Sequence, residues 1–192
     1  MHRNKLIGDL EAYRTRHPGE AATADRFLDF VRHHQRCFHR DCLPGHVTAS
    51  AWLIDPGGSR VLLTHHRKLN RWLQPGGHCD GDPDTLRTAL REAAEESGLE
   101  VETCSDAPLD IDIHAIPARK PFPSRNAEPA RAAEPAHFHY DVRYALRATS
   151  DDFTVGEESH ALAWVDFADL ADYTREASIA RMLTKWRLIR AR

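Results

Sequence analysis

The segment from Gly76 to Leu99 constrains the fold of this chain more than any other part of its sequence. A short apolar run ends at two glycines, Gly76 and Gly77, and a loop then leads into a stretch with helical periodicity. The predicted buried face of this helix carries Leu86, Leu90 and Ala93, which recur at helical spacing. The pattern therefore predicts a strand end that is joined closely to an amphipathic helix.

The ends of this helix are also marked in the sequence. Asp82 is a residue type that caps helix N-termini, and Pro83 suits the first helical position, where no backbone N–H is needed. Gly98 is suited to the left-handed conformation that follows many helices. We therefore expect a helix that begins at Pro83 and ends near Ser97.

Three glutamates, Glu92, Glu95 and Glu96, fall on one face of the predicted helix, away from its apolar face. Like charges at this spacing repel each other by roughly a few tenths of a kcal/mol per pair, so a cation is expected to compensate them. Carboxylate and backbone carbonyl oxygens are the ligands that Mg²⁺ and Mn²⁺ prefer. The alternative is a solvated acidic helix face. The adjacent glycines favour the metal site, because they let backbone groups approach an ion closely.

Gly77 through Leu99 resembles the Nudix box, G-x5-E-x7-R-E-U-x-E-E-x-G-U, in which U is an aliphatic residue. The second half reads Arg91-Glu92-Ala93-Ala94-Glu95-Glu96-Ser97-Gly98-Leu99 at the family's spacing, whereas Pro83 stands at the first glutamate of the box. The resemblance implies an α/β protein with a Nudix-type α/β/α sandwich and a mixed sheet. It places this domain at residues 45–192, after an N-terminal helical extension at residues 1–44.

The resemblance also implies roles for individual residues. The carbonyl of Gly76 and the carboxylates of Glu92, Glu95 and Glu96 would hold Mg²⁺ or Mn²⁺, and Arg91 would orient the glutamates. One of these glutamates, or Glu158 in a distal loop, would deprotonate water. The chain would then be a Nudix-family pyrophosphohydrolase that cleaves a nucleoside diphosphate linked to another group. The alternative is a catalytically weak Nudix-like module that binds a nucleotide or a partner.

Periodicity elsewhere predicts the rest of the sandwich. Residues 3–36 favour two helices with a break at 17–19, and residues 174–189 favour a C-terminal helix. Strands are predicted at 46–54, 60–65, 109–116, 137–148 and 162–167, and the first two form a hairpin. Residues 117–136 lack an apolar period and are rich in Pro, Ala and Arg, so we expect a loop there.

Polar side chains on two of these strands are further candidates for contact with substrate or metal. Alternation makes neighbours two apart point the same way, which groups His137, His139 and Asp141 on one strand and Asp110, Asp112 and His114 on another. If the strands are adjacent, these groups would line a cleft and contact substrate or a second metal. The alternative is a solvent-facing side of a sheet.

Basic residues that precede Gly76 and Gly77 are candidate phosphate contacts. His65, Arg67 and Arg71 would either contact substrate phosphate or belong to a solvated basic loop.

A zinc site is also considered further upstream, at Cys37, Cys42 and His46. These residues do not have the spacing of a zinc finger, so no metal site is predicted there.

The charge balance and the lack of long apolar runs limit the classes of partner and the cellular location that we expect for this chain. Lys and Arg number 26 and Asp and Glu number 29, which gives a net charge of −3 and disfavours a nucleic acid partner. No segment has the roughly 18 apolar residues of a membrane span, and none has the apolar core of a signal peptide. We therefore expect a cytoplasmic protein that acts on a small nucleoside diphosphate derivative, and the family resemblance leaves a homodimer open.

Overall fold

The sheet at the centre of the protein is organised around two long parallel strands, β1 (Gly45–Ile54) and β7 (His137–Ala148). The computed structural model describes residues 2–67, 69–121, 133–156 and 159–190. The two strands pair in continuous register, from Gly45 opposite Phe138 to Ile54 opposite Arg147. All ten residues of β1 are buried, which is typical of a strand that is covered on both faces.

Six further strands pair in antiparallel fashion around these two and complete an eight-stranded mixed sheet. Strand β2 (Arg60–His66) forms the predicted hairpin with β1, and β4 (Gly76–His78) pairs with the middle of β1. The outer strands are β3 (Arg71–Leu73) and β8 (Ser159–Asp166) on β2, and β5 (Val101–Thr103) and β6 (Asp110–Ile116) on β7.

Helices cover both faces of this sheet. Helices α1 (Asn4–Arg16), α2 (Ala21–His33) and α3 (Thr85–Ser97) pack on one face, and α4 (Leu170–Tyr173) and α5 (Ala177–Arg190) pack on the other. Side chains of β1 alternate between the two layers, so that Ala49 and Ala51 join the first core cluster and Trp52 and Ile54 join the second. The predicted α/β/α sandwich with N-terminal helices is therefore confirmed, while the domain boundary at residue 45 stays a prediction.

Most predicted helices and strands are present, with ends shifted by a few residues. Strand β5 was not predicted, because three residues are too few to reveal a period of two. The predicted strand that ends at the two glycines is divided into two short strands, β3 and β4. Within the predicted loop at 117–136, residues 122–132 lie outside the described residues, and Arg119 forms an isolated antiparallel bridge with Glu134. Across the described ranges, no helix is both long and apolar enough to cross a bilayer.

The predicted start of α3 at Pro83 is wrong. The helix begins at Thr85, and its N-cap is Asp84, whose side chain accepts a hydrogen bond from the backbone N–H of Arg87. Asp82, which the sequence favoured as the cap, accepts a hydrogen bond from the backbone N–H of Asp84 and pairs with the Arg87 guanidinium. Because Asp82 is engaged in this way, Pro83 lies before the cap. The helix ends as predicted, with Gly98 at a φ of 69°.

A buried network of charges fixes the outer edge of the sheet at β6. Asp110 is fully buried and binds Arg143 of β7 together with Arg181 and Lys185 of α5. Lys185 also donates a hydrogen bond to the hydroxyl of Tyr13 on α1. Buried charges are tolerated only when they are paired, and here each one has an opposite partner. The network thus joins α1 and α5 to the sheet edge between them.

Replacing Asp110 is expected to destabilise the protein strongly. Asp110→Asn removes a carboxylate that several buried cations share, and a buried charge that loses its partner costs about 3–5 kcal/mol. Urea unfolding of the variant and of the wild-type protein measures this difference. Asp152→Asn, at an exposed position, is the matched control and should change the free energy of unfolding by less than about 0.5 kcal/mol. Equal stability of the two variants would contradict the proposed role of the network.

The same carboxylate should contribute to acid sensitivity. Burial by itself would raise the pKa of Asp110, but its bond to Arg181 and the charges of Arg143 and Lys185 outweigh burial and lower that pKa. A lowered folded-state pKa gives stability that is present at neutral pH and is lost as the pH falls through the folded-state value. We expect the free energy of unfolding of the wild-type protein to fall more steeply between about pH 5 and pH 2 than that of Asp110→Asn. Parallel pH profiles for the two proteins would exclude this contribution.

Candidate active site

The glycine strand β4 and helix α3 bring the motif residues together. The backbone N–H of Gly76 donates a hydrogen bond of 2.9 Å to Oε1 of Glu96. At Gly77, an added Cβ would lie 2.4 Å from the carboxylate carbon of Glu92, so only glycine lets this carboxylate lie so close to the strand. Gly77 therefore allows the close approach of Glu92, while Gly76 binds Glu96 through its backbone N–H.

Arg91 clamps two of the glutamates and ties them to the strand. Its Nη1 lies 2.8 Å from Oε1 of Glu92 and 3.0 Å from Oε2 of Glu95. Its Nη2 donates a hydrogen bond of 2.9 Å to the backbone carbonyl of His78. Charge-assisted bonds of this kind fix orientation as well as distance. The geometry agrees with the orienting role that the motif implies for Arg91.

The glutamates differ in their surroundings. The side chain of Glu92 is 15% exposed, whereas that of Glu95 is 60% exposed. Burial raises the pKa of Glu92 above its usual value, Arg91 opposes the rise, and the nearby charge of Glu95 adds to it. A divalent cation would offset the repulsion that raises this pKa. The oxygen donors of Glu92, Glu95, Glu96 and the Gly76 backbone thus fit a hard ion such as Mg²⁺ or Mn²⁺.

The basic residues proposed to contact substrate lie on β2 and β3 and beside them. His65 stacks on Trp72 with ring centroids 5.0 Å apart, and Arg71 pairs with Glu176 at 2.9 Å. Arg67 donates a hydrogen bond of 3.3 Å to the carbonyl of Ser159. These side chains have structural partners on β3, on β8 and just before α5, and a role in substrate binding stays a prediction.

The strands that carry the polar triplets are neighbours, as the expected cleft requires. Strands β6 and β7 pair so that His114 lies opposite His139 and Asp112 lies opposite Asp141. Asp141 accepts hydrogen bonds from Thr48 and Ser50 and is thereby held inside the sheet layer. The carboxylates of these triplets therefore have protein partners.

The histidines at the end of the same face form a cluster. Ring centroids of His46 and His139 lie 4.8 Å apart, and that of His78 lies 5.0 Å and 5.1 Å from those two. His137 packs against both His46 and His139. The sequence prediction included His137 and His139, weighed His46 only together with Cys37 and Cys42, and missed His78. The alternation of His46, Thr48 and Ser50 was the available signal, and it required the strand register to be read.

Glu158, proposed as a distal base, lies outside the described residues, as does its neighbour Glu157. Its role stays a prediction.

The comparisons with known proteins decide the family. A family model of the NUDIX domain matches residues 44–186, which is most of the chain. The chain belongs to the Nudix hydrolase family. The search of curated proteins returned no significant match. The prediction of a Nudix-family pyrophosphohydrolase is therefore confirmed at the level of the family.

Solved structures of other Nudix proteins share this fold. A NUDIX-family hydrolase from Clostridium perfringens is 22% identical with a TM-score of 0.54, and the match covers 75% of this chain and 97% of that one. The Nudix hydrolase RenU from M. smegmatis is 20% identical with a TM-score of 0.50, and the match covers 76% of this chain and 86% of that one. At these identities the similarity establishes the fold of this Nudix chain.

The close approach of β4 to β1 gives a stability prediction. In Gly76→Ala the added Cβ would lie 2.6 Å from the Cα of Ser50 and 2.8 Å from the carbonyl oxygen of Ala49, which are backbone atoms that cannot easily move. We expect a loss of about 1–3 kcal/mol in the free energy of unfolding, measured in urea. The control is Gly8→Ala on α1, where nothing lies within 4 Å and alanine favours the helix by about 0.5–1 kcal/mol. If Gly76→Ala is as stable as wild type, the strands do not pack this closely.

Proposed function

We propose that this Nudix protein is a metal-dependent hydrolase that cleaves the P–O–P linkage of a nucleoside diphosphate joined to another group. The observation that carries the proposal is that Glu92 and Glu96 lie against the β4 glycines while Arg91 binds both Glu92 and Glu95. A bare binding site for a nucleotide has no need for three crowded carboxylates, whereas a site for Mg²⁺ or Mn²⁺ does.

Each residue of the site has its own proposed role in hydrolysis. The Gly76 carbonyl and the carboxylates of Glu92, Glu95 and Glu96 would hold the ion. A bound divalent cation neutralises charge on the diphosphate oxygens and lowers the pKa of water. Arg91 keeps Glu92 and Glu95 in place through its two contacts. One of the motif glutamates, or Glu158, would accept the proton of the attacking water as the P–O bond to the leaving phosphate breaks.

The substitution at Pro83 is compatible with this proposal. In the motif, the missing first glutamate supports the corner between loop and helix. Here that corner is held by Asp82 and Asp84, which bind the side chain and the backbone of Arg87. Arg91, for its part, has Glu92, Glu95 and the His78 carbonyl as partners. The loss of one glutamate therefore leaves Arg91 paired.

The substrate class, the location and the oligomeric state complete the proposal. A net charge of −3 favours a small substrate over a nucleic acid, because phosphate backbones are bound through an excess of basic residues. We propose a nucleoside diphosphate derivative as substrate and the cytoplasm as location. His65, Arg67 and Arg71 are proposed substrate contacts, His137 and His139 are proposed to contact either substrate or a second metal, and a homodimer stays a prediction from the family.

Hydrolysis is tested with a substrate panel and a paired variant. Nucleoside triphosphates, ADP-ribose, sugar nucleotides, dinucleoside polyphosphates and NADH are incubated with Mg²⁺, Mn²⁺ or EDTA, and released phosphate or nucleotide is measured. Glu96→Gln is expected to lower kcat/KM by roughly 100-fold or more, because losing a metal ligand removes several kcal/mol of charge stabilisation. Glu100→Gln, at an exposed position just past the motif, is the control and should match wild type.

Three outcomes would contradict the proposal. Activity that persists in EDTA would exclude a metal-dependent step, and full activity of Glu96→Gln would exclude this set of ligands. Absence of release from every compound, combined with a rise in Tm caused by one of them, would identify a binding module instead.

A further inference from the structure

Three imidazoles from three strands converge on the sheet face that carries Thr48 and Ser50. His46 of β1, His78 of β4 and His139 of β7 each offer one ring nitrogen, and these atoms all lie within 4.8 Å of one another. Strand pairing holds them there, since His46 lies opposite His139 and His78 lies opposite Thr48. Their meeting is therefore fixed by the backbone register and does not depend on a mobile loop.

Among the three histidines, His46 gives the strongest indication that the cluster binds a ligand. Its side chain belongs to a residue that is only 2% exposed, and neither ring nitrogen has a hydrogen-bond partner of good geometry among the described residues. Buried polar atoms without partners are rare in native proteins and require an explanation. A bound ion in the centre of the cluster supplies one.

The neighbouring His137 has the same character. Its Nδ1 lies 2.9 Å from the carbonyl of Pro135, so this nitrogen donates the hydrogen bond and Nε2 carries the lone pair. Nε2 is buried and lacks a hydrogen-bond partner among the described residues. Neutral imidazole is the form that binds metals.

We propose that His46, His78 and His139 bind a transition-metal ion of the Zn²⁺ class, at a site separate from the carboxylate site on α3. Imidazole nitrogen suits such borderline ions, whereas carboxylate oxygen suits Mg²⁺ and Mn²⁺. Metal–nitrogen bonds are about 2.1 Å long, so closing a triangle of nitrogens of this size on an ion takes movements of roughly 1 Å or less in each ring. Three protein ligands leave a fourth position for water or for a substrate oxygen.

The two sites lie on opposite sides of the same short strand. Side chains alternate along β4, so the Cβ direction of Gly77 points at Glu92 and that of Gly76 points at Ser50, on the side to which His78 belongs. An ion held by the three histidines would therefore tie β4 to β1 and β7 from behind the glutamates. It would fix the strand that supplies the backbone of the candidate active site. The metal site itself does not depend on the proposed hydrolase function.

Cobalt binding to the full chain tests this site with a readout that is independent of activity. After metal is removed with a chelator, Co²⁺ is titrated, and we expect one equivalent to give the intense visible absorption of a tetrahedral nitrogen-ligated ion, which Zn²⁺ then abolishes. Six-coordinate Co²⁺ on oxygen ligands absorbs only weakly, so the carboxylate site does not mimic this signal. Glu96→Gln should keep the signal, which separates this test from that of the hydrolase.

Variants of the half-buried ligands decide the assignment. His78→Gln and His139→Gln are each expected to raise the Kd for Co²⁺ at least about 100-fold and to abolish the rise in Tm that Zn²⁺ causes in wild type. His33→Gln, at an exposed position on α2, is the control and should bind as wild type does. Wild-type Kd values in both ligand variants would overturn the proposal. Should these variants fail to fold, X-ray absorption of the Zn²⁺-loaded wild type decides, since an oxygen-only shell would overturn the site and a shell of three imidazoles would support it.

Discussion

The parallel pairing of β1 with β7 is the interaction on which the rest of this structure depends. Ten consecutive residue pairs hold the two strands together, and both strands are buried along nearly their whole length. Their free edges then receive β4 on one side and β6 on the other. Because side chains alternate along each strand, one register decides which residues enter either helical layer. The same register aligns Thr48 and Ser50 with Asp141 and His46 with His139.

Polar groups on the α5 side of the sheet show how the protein keeps charge inside its core. Asp110 and Asp141 are buried carboxylates, and both bind Arg143, which is itself 3% exposed. Helix α5 adds Arg181 and Lys185, and α1 adds Tyr13, so the network reaches both helical layers. Such a network stabilises the protein only while every member is paired. It therefore ties the N-terminal helices to the domain by electrostatics as well as by apolar packing.

The short strand β4 lies between the motif carboxylates and the histidine cluster, which are the two sites that we propose to bind metal. Its glycines allow the α3 glutamates to approach the backbone, and its histidine contributes to a cluster on the other side. Oxygen donors and nitrogen donors select different ions, so the two sites need not compete for the same metal. A strand of three residues has little stability of its own, and its position depends on pairing with β1 and on the bond from Arg91 to the His78 carbonyl.

The sequence by itself determined the Nudix motif, the amphipathic helix that carries it and the long strands, because these depend on spacing within one segment. The resemblance of the motif to the Nudix box implied the α/β/α architecture. The contact of Arg91 with Glu95 was equally predictable, since the two residues are four apart on one helix. The orienting role of Arg91 toward Glu92 was implied by the family resemblance. The tertiary structure decided what joins distant segments. The start of α3 lies at Thr85 because the side chain of Arg87 engages Asp82. His46, His78 and His139 lie together because strand register is set by packing across the whole sheet.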